Sequence, residues 1–115
     1  MGPLSNYPPD LRRAILKLWR PSSPFWAFRS SSGLDRRKAH EVEIRIDVPP
    51  ERLTHDLDFP GWRIVLTTDD GRLFLRREQP LTNAALRQLF REAVVLARAH
   101  GGGFRSWMHK PDLED

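Results

Sequence analysis

The sequence predicts an α+β fold in which four short strands form one antiparallel sheet and two helices cover one of its faces. Residues 61–107 carry, in succession, a strand, an Asp-Gly turn, a strand, a long amphipathic helix, a glycine turn and an aromatic strand. A strand of alternating pattern and a short helical stretch precede them at residues 41–57. The resulting order, β-α-β-β-α-β behind an N-terminal helix, is the ferredoxin-like motif.

Length and charge divide the chain into three parts. Its 115 residues suffice for one domain with one core. Residues 1–40 form a basic N-terminal extension with eight Lys or Arg and two Asp, hence a net charge of +6. Residues 41–109 form the domain and residues 110–115 a polar tail, and residues 41–115 together carry −2. A basic arm can bind an acidic protein, an anionic membrane or nucleic acid, or serve only to keep the chain soluble.

The extension contains one predicted helix and a Ser-rich linker. The helix runs from Asp10, which can cap the first turn, to the stop at Pro21. Apolar residues at helical spacing form its single stripe: Leu11, Ala14, Ile15, Leu18 and Trp19. So short a helix must dock on a surface to be stable. The linker, residues 21–40, includes the aromatic cluster Phe25, Trp26 and Phe28, which either packs on the domain or binds a partner.

The first strand and first crossover helix are predicted at residues 41–57. Val42, Ile44, Ile46 and Val48 alternate with charged residues, as in a strand with one buried face and one solvated face. Two prolines end this strand, and a helix of about two turns is predicted from Glu51 to Leu57.

The hairpin and the long helix follow. Asp69-Asp70-Gly71 is a strong turn signal, because such turns need the positive φ that glycine adopts readily. The second strand is expected to bury Trp62, Ile64 and Leu66. Thr82 is the predicted N-cap of a helix of about five turns that ends at His100. Gly101 occupies the C′ position, Gly102 and Gly103 add slack, and the last strand spans residues 104–109.

The short first crossover helix leaves apolar sheet uncovered in this arrangement. We expect the N-terminal helix, or the aromatic cluster, to cover it. Removal of residues 1–38 should then destabilise the domain.

No catalytic or metal constellation is evident in the sequence. The chain has no cysteine, and its four histidines are widely separated, which removes thiolate chemistry and H-x-x-x-H metal pairs. Glu41 and Glu43 share one strand face, but an exposed polar face explains them without acid–base catalysis. No nucleophile elbow, P-loop or dinucleotide fingerprint is present. The sequence therefore predicts no cofactor, no metal and no enzymatic activity.

The predicted sheet is a poor surface for nucleic acid, and no segment is predicted to span a membrane. The open sheet face presents Glu41, Glu43 and Asp47, which repel phosphate, and only Phe74 for base stacking. Nucleic acid would therefore have to bind the basic arm. No apolar run reaches the ~20 residues that span a bilayer, and the N-terminus lacks a signal-peptide pattern. A cytoplasmic location is predicted.

The C-terminal two-thirds resembles the regulator of ribonuclease activity B family, bacterial inhibitors of ribonuclease E. The matching pieces are Gly61-Trp62-Arg63-Ile64-Val65, the helix from Ala85 to Ala99, and a closing turn and strand from Ala99 to Trp107. The resemblance implies a ferredoxin-like fold and a protein-binding regulatory role, but it does not transfer ribonuclease E as the partner. The matches at Gly61, Trp62, Gly101, Gly102 and Trp107 are of a structural kind. Arg105 and Ser106 depart from the family, which commonly has an acidic-glycine pair there.

These observations predict a small regulatory or adaptor domain that binds a macromolecular partner, foremost a protein. Aromatic and arginine side chains dominate interface energetics, and the residues predicted to contact the partner are Trp19, Phe25, Trp26, Phe28, Arg36, Arg37 and Lys38. The alternative is a nucleic-acid-binding protein that uses the same basic arm. The exposed edges of a four-stranded sheet also allow a homodimer.

Overall fold

One sheet of four antiparallel strands forms the centre of the fold. The computed structural model describes residues 4–20, 35–54 and 57–109. The strands lie in the order β2-β3-β1-β4, so β2 and β4 are the edges. Their bounds are β1 (His40–Asp47), β2 (Arg63–Thr67), β3 (Arg72–Gln79) and β4 (Gly103–His109). The predicted α+β class and antiparallel four-stranded sheet are confirmed.

The longer of the two α-helices in the described residues, α2 (Asn83–Ala99), has both of its predicted ends. The Thr82 hydroxyl accepts a hydrogen bond from the N–H of Ala85 at 3.2 Å and caps the first turn. At the other end the Gly102 N–H donates to the Ala97 carbonyl at 2.8 Å, and Gly101 has a φ of +79°. This is the Schellman arrangement, which requires a positive φ at the C′ residue.

The N-terminal helix, α1 (Pro9–Trp19), docks on α2. Leu11 and Ile15 are buried against Val94 in a second, smaller apolar cluster. Asp10 is not the N-cap of α1, because the N-cap is Pro8, which makes no side-chain cap hydrogen bond. Its carboxylate instead accepts a hydrogen bond from Arg98 of α2 at 2.6 Å. Within the described ranges, no helix is both long and apolar enough to cross a bilayer.

The main core lies between the sheet and α2. β1, β3 and α2 supply fully buried side chains to one cluster, including Val42, Ile44, Ile46, Leu73, Leu75, Leu86, Leu89 and Phe90. The predicted interior shared by the alternating strands and the long helix is therefore confirmed. Phe90 also meets the ring of Trp107 on β4 edge-on, with centroids 6.0 Å apart.

The first crossover differs from the prediction. In place of two α-helical turns from Glu51 to Leu57, a 3₁₀ helix spans Pro50–Thr54. Beside this 3₁₀ helix, the Arg77 guanidinium stacks on the ring of Trp62, which packs against the main core. The guanidinium carbon lies 4.0 Å from the Trp62 ring centroid. Arg77 also pairs with Glu92 of α2 at 2.5 Å. This stack joins β3 to α2 in the absence of a longer crossover helix.

Strand β2 is exposed along its whole length. Its ladder with β3 shifts by one residue, so that Ile64 lies opposite Leu75 while Leu66 lies opposite Phe74. The bulge turns Leu66 to the open face of the sheet. The prediction that β2 buries Ile64 and Leu66 is wrong, because these side chains are 41% and 50% exposed. Helix α1 packs on α2 and reaches the main core through Leu18 and Trp19, but its predicted cover of the apolar sheet does not extend to β2. Phe25 and Trp26, the other predicted cover, lie outside the described residues.

Two glycines at one end of the sheet are required by close backbone packing. A Cβ atom on Gly71 would lie 2.0 Å from the Val48 carbonyl oxygen, and one on Gly102 would lie 1.6 Å from that of Asp47. Gly71 also has the positive φ, +97°, that the Asp-Gly turn predicts. A Cβ on Gly103 would meet no atom within 4 Å. Gly102 is thus a packing requirement and does not merely add slack.

Candidate partner-binding site

Trp19, the last residue of α1, is held against α2. Its indole N–H donates to the Arg87 carbonyl at 3.0 Å, and the Arg87 guanidinium carbon lies 6.0 Å from the ring centroid. The side chain is half-buried and contacts both apolar clusters. Trp19 therefore anchors the end of α1 and keeps part of its ring accessible.

Arg36 is tied to the start of α2. Its Nε donates to the Leu81 carbonyl at 3.0 Å and its Nη2 to the Asn83 side-chain oxygen at 2.8 Å. The Leu81 N–H in turn donates to the Arg36 carbonyl at 2.7 Å. Arg36 is one of three basic residues predicted to contact a partner. Its bonds instead stabilise the fold, because they fix the chain before β1 to the N-terminus of α2.

Arg37 and Lys38 are directed to solvent beside this anchor. The Arg37 side chain is 86% exposed, and its only ion pair within the described residues is a 3.5 Å contact with Asp35. The Arg37 backbone N–H donates to the Asp35 carboxylate at 3.0 Å, which lowers the pKa of that carboxyl. His40 closes the same turn through a 2.6 Å hydrogen bond between its Nε2 and the Asp35 carbonyl.

The two anchors lie at neighbouring turns of one helix. Trp19 is fixed at Arg87 and Arg36 at Asn83, four residues earlier, which is one helical turn. The predicted contact residues Phe25, Trp26 and Phe28 lie outside the described residues, in the segment that joins these anchors along the chain. Both flanks of that segment, including exposed Arg20, therefore meet at the N-terminal half of α2.

Sequence reasoning missed Arg87. It lies on the polar face of α2 and is one of several arginines with no distinguishing neighbour in the sequence. Arg87 follows Asn83 by four residues, so the two side chains share one helix face near the N-cap. This spacing was the only feature of the sequence that could have indicated a role for Arg87.

The open face of the sheet carries a lattice of ion pairs. Each of three acidic residues on β1 pairs with two arginines: Glu41 with Arg63 and Arg76, Glu43 with Arg45 and Arg76, and Asp47 with Arg72 and Arg105. The sequence showed the acids, but their partners depend on the cross-strand register. The lattice holds five arginines and three carboxylates, a formal charge of +2, and each of these arginines is already paired with a carboxylate.

Glu43 lies at the centre of this lattice and is only 1% exposed. Its two carboxylate oxygens accept hydrogen bonds from Arg45 at 2.8 Å and from Arg76 at 2.9 Å. The bond from Arg76 raises the pKa of that guanidinium. Arg45 also lies over the ring of Phe74, 4.4 Å from its centroid. The one aromatic ring that could have stacked a base is thus already covered by an arginine.

Two further features bear on function: metal-binding side chains and the residues that resemble the ribonuclease-regulator family. Among residues 4–20, 35–54 and 57–109, no three His, Asp or Glu side chains gather as a metal site would require. The residues that carry the family resemblance have structural positions here: Gly61 has a φ of +83°, Trp62 stacks on Arg77, and Trp107 packs on Phe90.

Comparisons with protein-family models, curated proteins and solved structures found no match for this chain.

Proposed function

We propose that this chain is a small regulatory or adaptor domain that binds a protein through the N-terminal half of α2 and the segment anchored there. The observation that carries the proposal is the convergence of Trp19 and Arg36 on adjacent turns of α2. A half-buried tryptophan beside exposed arginines is the composition of an interface hot spot. The exposed charges, Arg20, Arg37 and Lys38, call for an acidic surface on the partner.

A ferredoxin-like arrangement is part of this proposal, and the sheet topology supports it. β1 and β2 are both antiparallel to β3, which lies between them, and β3 and β4 are both antiparallel to β1, which lies between them. Each crossover therefore joins two parallel strands with one strand inserted, as in the split βαβ unit. In the described part of the first crossover, the helical element is a 3₁₀ helix. The resemblance to ribonuclease regulators favours a protein partner and leaves its identity open.

A nucleic-acid-binding role for the basic arm is the second candidate. The net charge of +6 over residues 1–40 favours it. The open sheet face would contribute little, because its arginines are paired with Glu41, Glu43 and Asp47. Binding would then depend on the number of arm charges and not on their position.

Two double variants with the same change in charge separate these functions. Arg37→Glu/Lys38→Glu alters the exposed charges beside the Arg36 anchor, and Arg13→Glu/Lys17→Glu alters exposed charges on α1. The full chain is immobilised, proteins retained from a lysate of the native host are identified, and each is measured individually against the three chains. We expect the first variant to lose at least tenfold in affinity for the partner and the second to lose much less.

Labelled single-stranded RNA and duplex DNA are titrated in parallel at low and high salt. A nucleic-acid binder should weaken steeply with salt and lose affinity equally in both variants. That outcome, or a partner protein bound equally by the wild type and the Arg37→Glu/Lys38→Glu chain, would overturn the proposed protein-binding role.

A further inference from the structure

The two helices together form the most basic part of the described structure. Residues 9–20, which are α1 and its C-cap, and residues 83–99 of α2 hold seven Lys or Arg and two acidic residues, hence a net charge of +5. Both acidic residues are already ion-paired, Asp10 with Arg98 and Glu92 with Arg77. The helices therefore carry more positive charge than the ion-pair lattice on the open face of the sheet.

The side of α1 that points away from α2 presents unpaired cations. Ile15 is fully buried on the opposite side. Arg13, Leu16 and Lys17 are exposed at positions i, i+3 and i+4, so they share one side of the helix. Arg20 is exposed at the C-cap. Within the described residues, none of these three cations makes an ion pair.

Leu16 distinguishes among the anionic partners that this basic side could bind. It is 47% exposed between the cations. At an anionic membrane, a leucine in this position enters the boundary of the acyl chains while the neighbouring cations stay at the headgroups. A phosphodiester backbone offers no comparable apolar contact, and leucine is under-represented among the hot spots of protein interfaces. The combination therefore favours a phospholipid surface.

We propose that the outer side of α1 binds an anionic phospholipid membrane, with Arg13, Lys17 and Arg20 at the headgroups and Leu16 at the acyl boundary. The helix lies parallel to the membrane plane. An isolated amphipathic helix would insert its apolar stripe, but here that stripe is packed on Val94 of α2. The domain therefore binds the membrane without giving up its core.

The number of exposed cations sets the expected affinity. Each Lys or Arg close to an anionic surface raises the binding constant about fivefold. Arg13, Lys17 and Arg20, together with the exposed Arg87 beside the end of α1, should give a binding constant on the order of 10³ M⁻¹. Half of the chain should then be bound at about 1 mM anionic lipid, and added salt should release it.

Cosedimentation of the full chain with vesicles tests the basic side of α1. Vesicles of phosphatidylcholine with about 30% phosphatidylserine should bind the wild type, whereas pure phosphatidylcholine should not. Arg13→Glu/Lys17→Glu should weaken binding at least about twentyfold, because two cations become anions. Arg63→Glu/Arg105→Glu is the matched control, since it changes the net charge equally on the open face of the sheet, where these side chains are 58% and 51% exposed. It should stay within about threefold of the wild type.

A matched pair of leucine variants tests the acyl contact. Leu16→Ser should weaken binding to the anionic vesicles about fivefold without any change in charge. Leu66→Ser makes the same chemical change at a side chain that is 50% exposed on the open face of the sheet, and should bind like the wild type. Leu16→Ser should also leave binding to labelled RNA and duplex DNA unchanged. Circular dichroism and thermal melting verify that each variant is folded.

Three results would overturn the inference. A wild type that does not bind the anionic vesicles, whether or not it binds RNA or duplex DNA, excludes a phospholipid surface as the ligand. Equal losses in the two charge-reversal variants would show that binding follows net charge and not the side of α1. A Leu16→Ser chain that binds like the wild type removes the acyl contact. None of these results bears on the proposed protein partner, because its affinity is measured without lipid.

Discussion

The two crossover connections of this sheet cover it to very different extents. Residues 80–102, between β3 and β4, include α2, whose inward residues Leu86, Leu89 and Phe90 are fully buried. Between β1 and β2, the described residues 48–54 and 57–62 include one helical element, the 3₁₀ helix Pro50–Thr54, and all of β2 is exposed. β2 is nevertheless as apolar as the buried strands. The exposure of β2 shows that the apolarity of a strand does not by itself determine whether the strand is buried.

The largest difference between the two regions should appear in matched leucine truncations. Leu89→Ala removes a fully buried side chain of α2, and we expect a loss of about 3 kcal/mol in the free energy of unfolding. Leu66→Ala makes the same chemical change on β2 at a side chain that is half exposed, and should cost less than about 0.5 kcal/mol. Urea denaturation of both variants measures the difference.

Similar losses at the two leucines would show that β2 is buried in solution. A loss at Leu66 that grows with protein concentration would point to burial in a dimer. Measurements at several concentrations separate these cases, because dimerisation makes the apparent stability depend on concentration.

A second, smaller contrast concerns the turn that ends the α2 crossover. Gly102→Ala introduces a Cβ atom 1.6 Å from the Asp47 carbonyl oxygen, and the backbone shift that relieves this clash should cost about 2–3 kcal/mol. Gly103→Ala, one residue later, meets open space and should change the stability by less than about 0.5 kcal/mol. Thermal melting of both variants measures the contrast. Equal effects would show that the turn after α2 does not approach the end of β1 as closely as described.

The smallest expected effect concerns the Asp10–Arg98 ion pair, which holds α1 on α2. The hydrogen bond from Arg98 lowers the pKa of Asp10. A carboxyl whose pKa is lowered on folding stabilises the fold above its unfolded pKa, about 4, and this contribution is lost as the pH falls through the folded value.

NMR titration of the Asp10 carboxyl tests this docking. Arg98→Ala should return the pKa of Asp10 toward its ordinary value. The pKa of Asp35 serves as the control and should not move, because a backbone N–H of Arg37 lowers it. An Asp10 pKa that does not respond to Arg98→Ala would show that α1 is not docked at this position.

Local patterns in the sequence predicted most of the fold. The alternation of Val42, Ile44 and Ile46 gave β1 its buried face, and Thr82 and Gly101 gave α2 its ends. Each of these signals depends on residues close in sequence. The bulge at Val65 was not predictable in this way, because two strands must be paired before an extra residue in one of them can be recognised.

The candidate site was predictable only in part, for the same reason. Trp19 and Arg37 stood out by residue type, but the approach of Trp19 and Arg36 to one helix joins residues far apart in the chain. Arg36 and Arg37 are the same residue type in the same basic segment, yet the Arg36 side chain donates hydrogen bonds to the Leu81 carbonyl and the Asn83 side-chain oxygen. Only the tertiary structure distinguishes an arginine that braces the fold from one that is available to a partner.

The two anchors on α2 have a consequence for proteolysis. A trypsin-like protease that cuts after Arg29 would sever the chain between Trp19 and Arg36, yet none of the described contacts that hold α1 passes through residues 21–34. Asp10 would still bind Arg98, and Ile15 would still pack on Val94. A nicked chain would therefore persist as a two-piece complex in which the sheet stays whole.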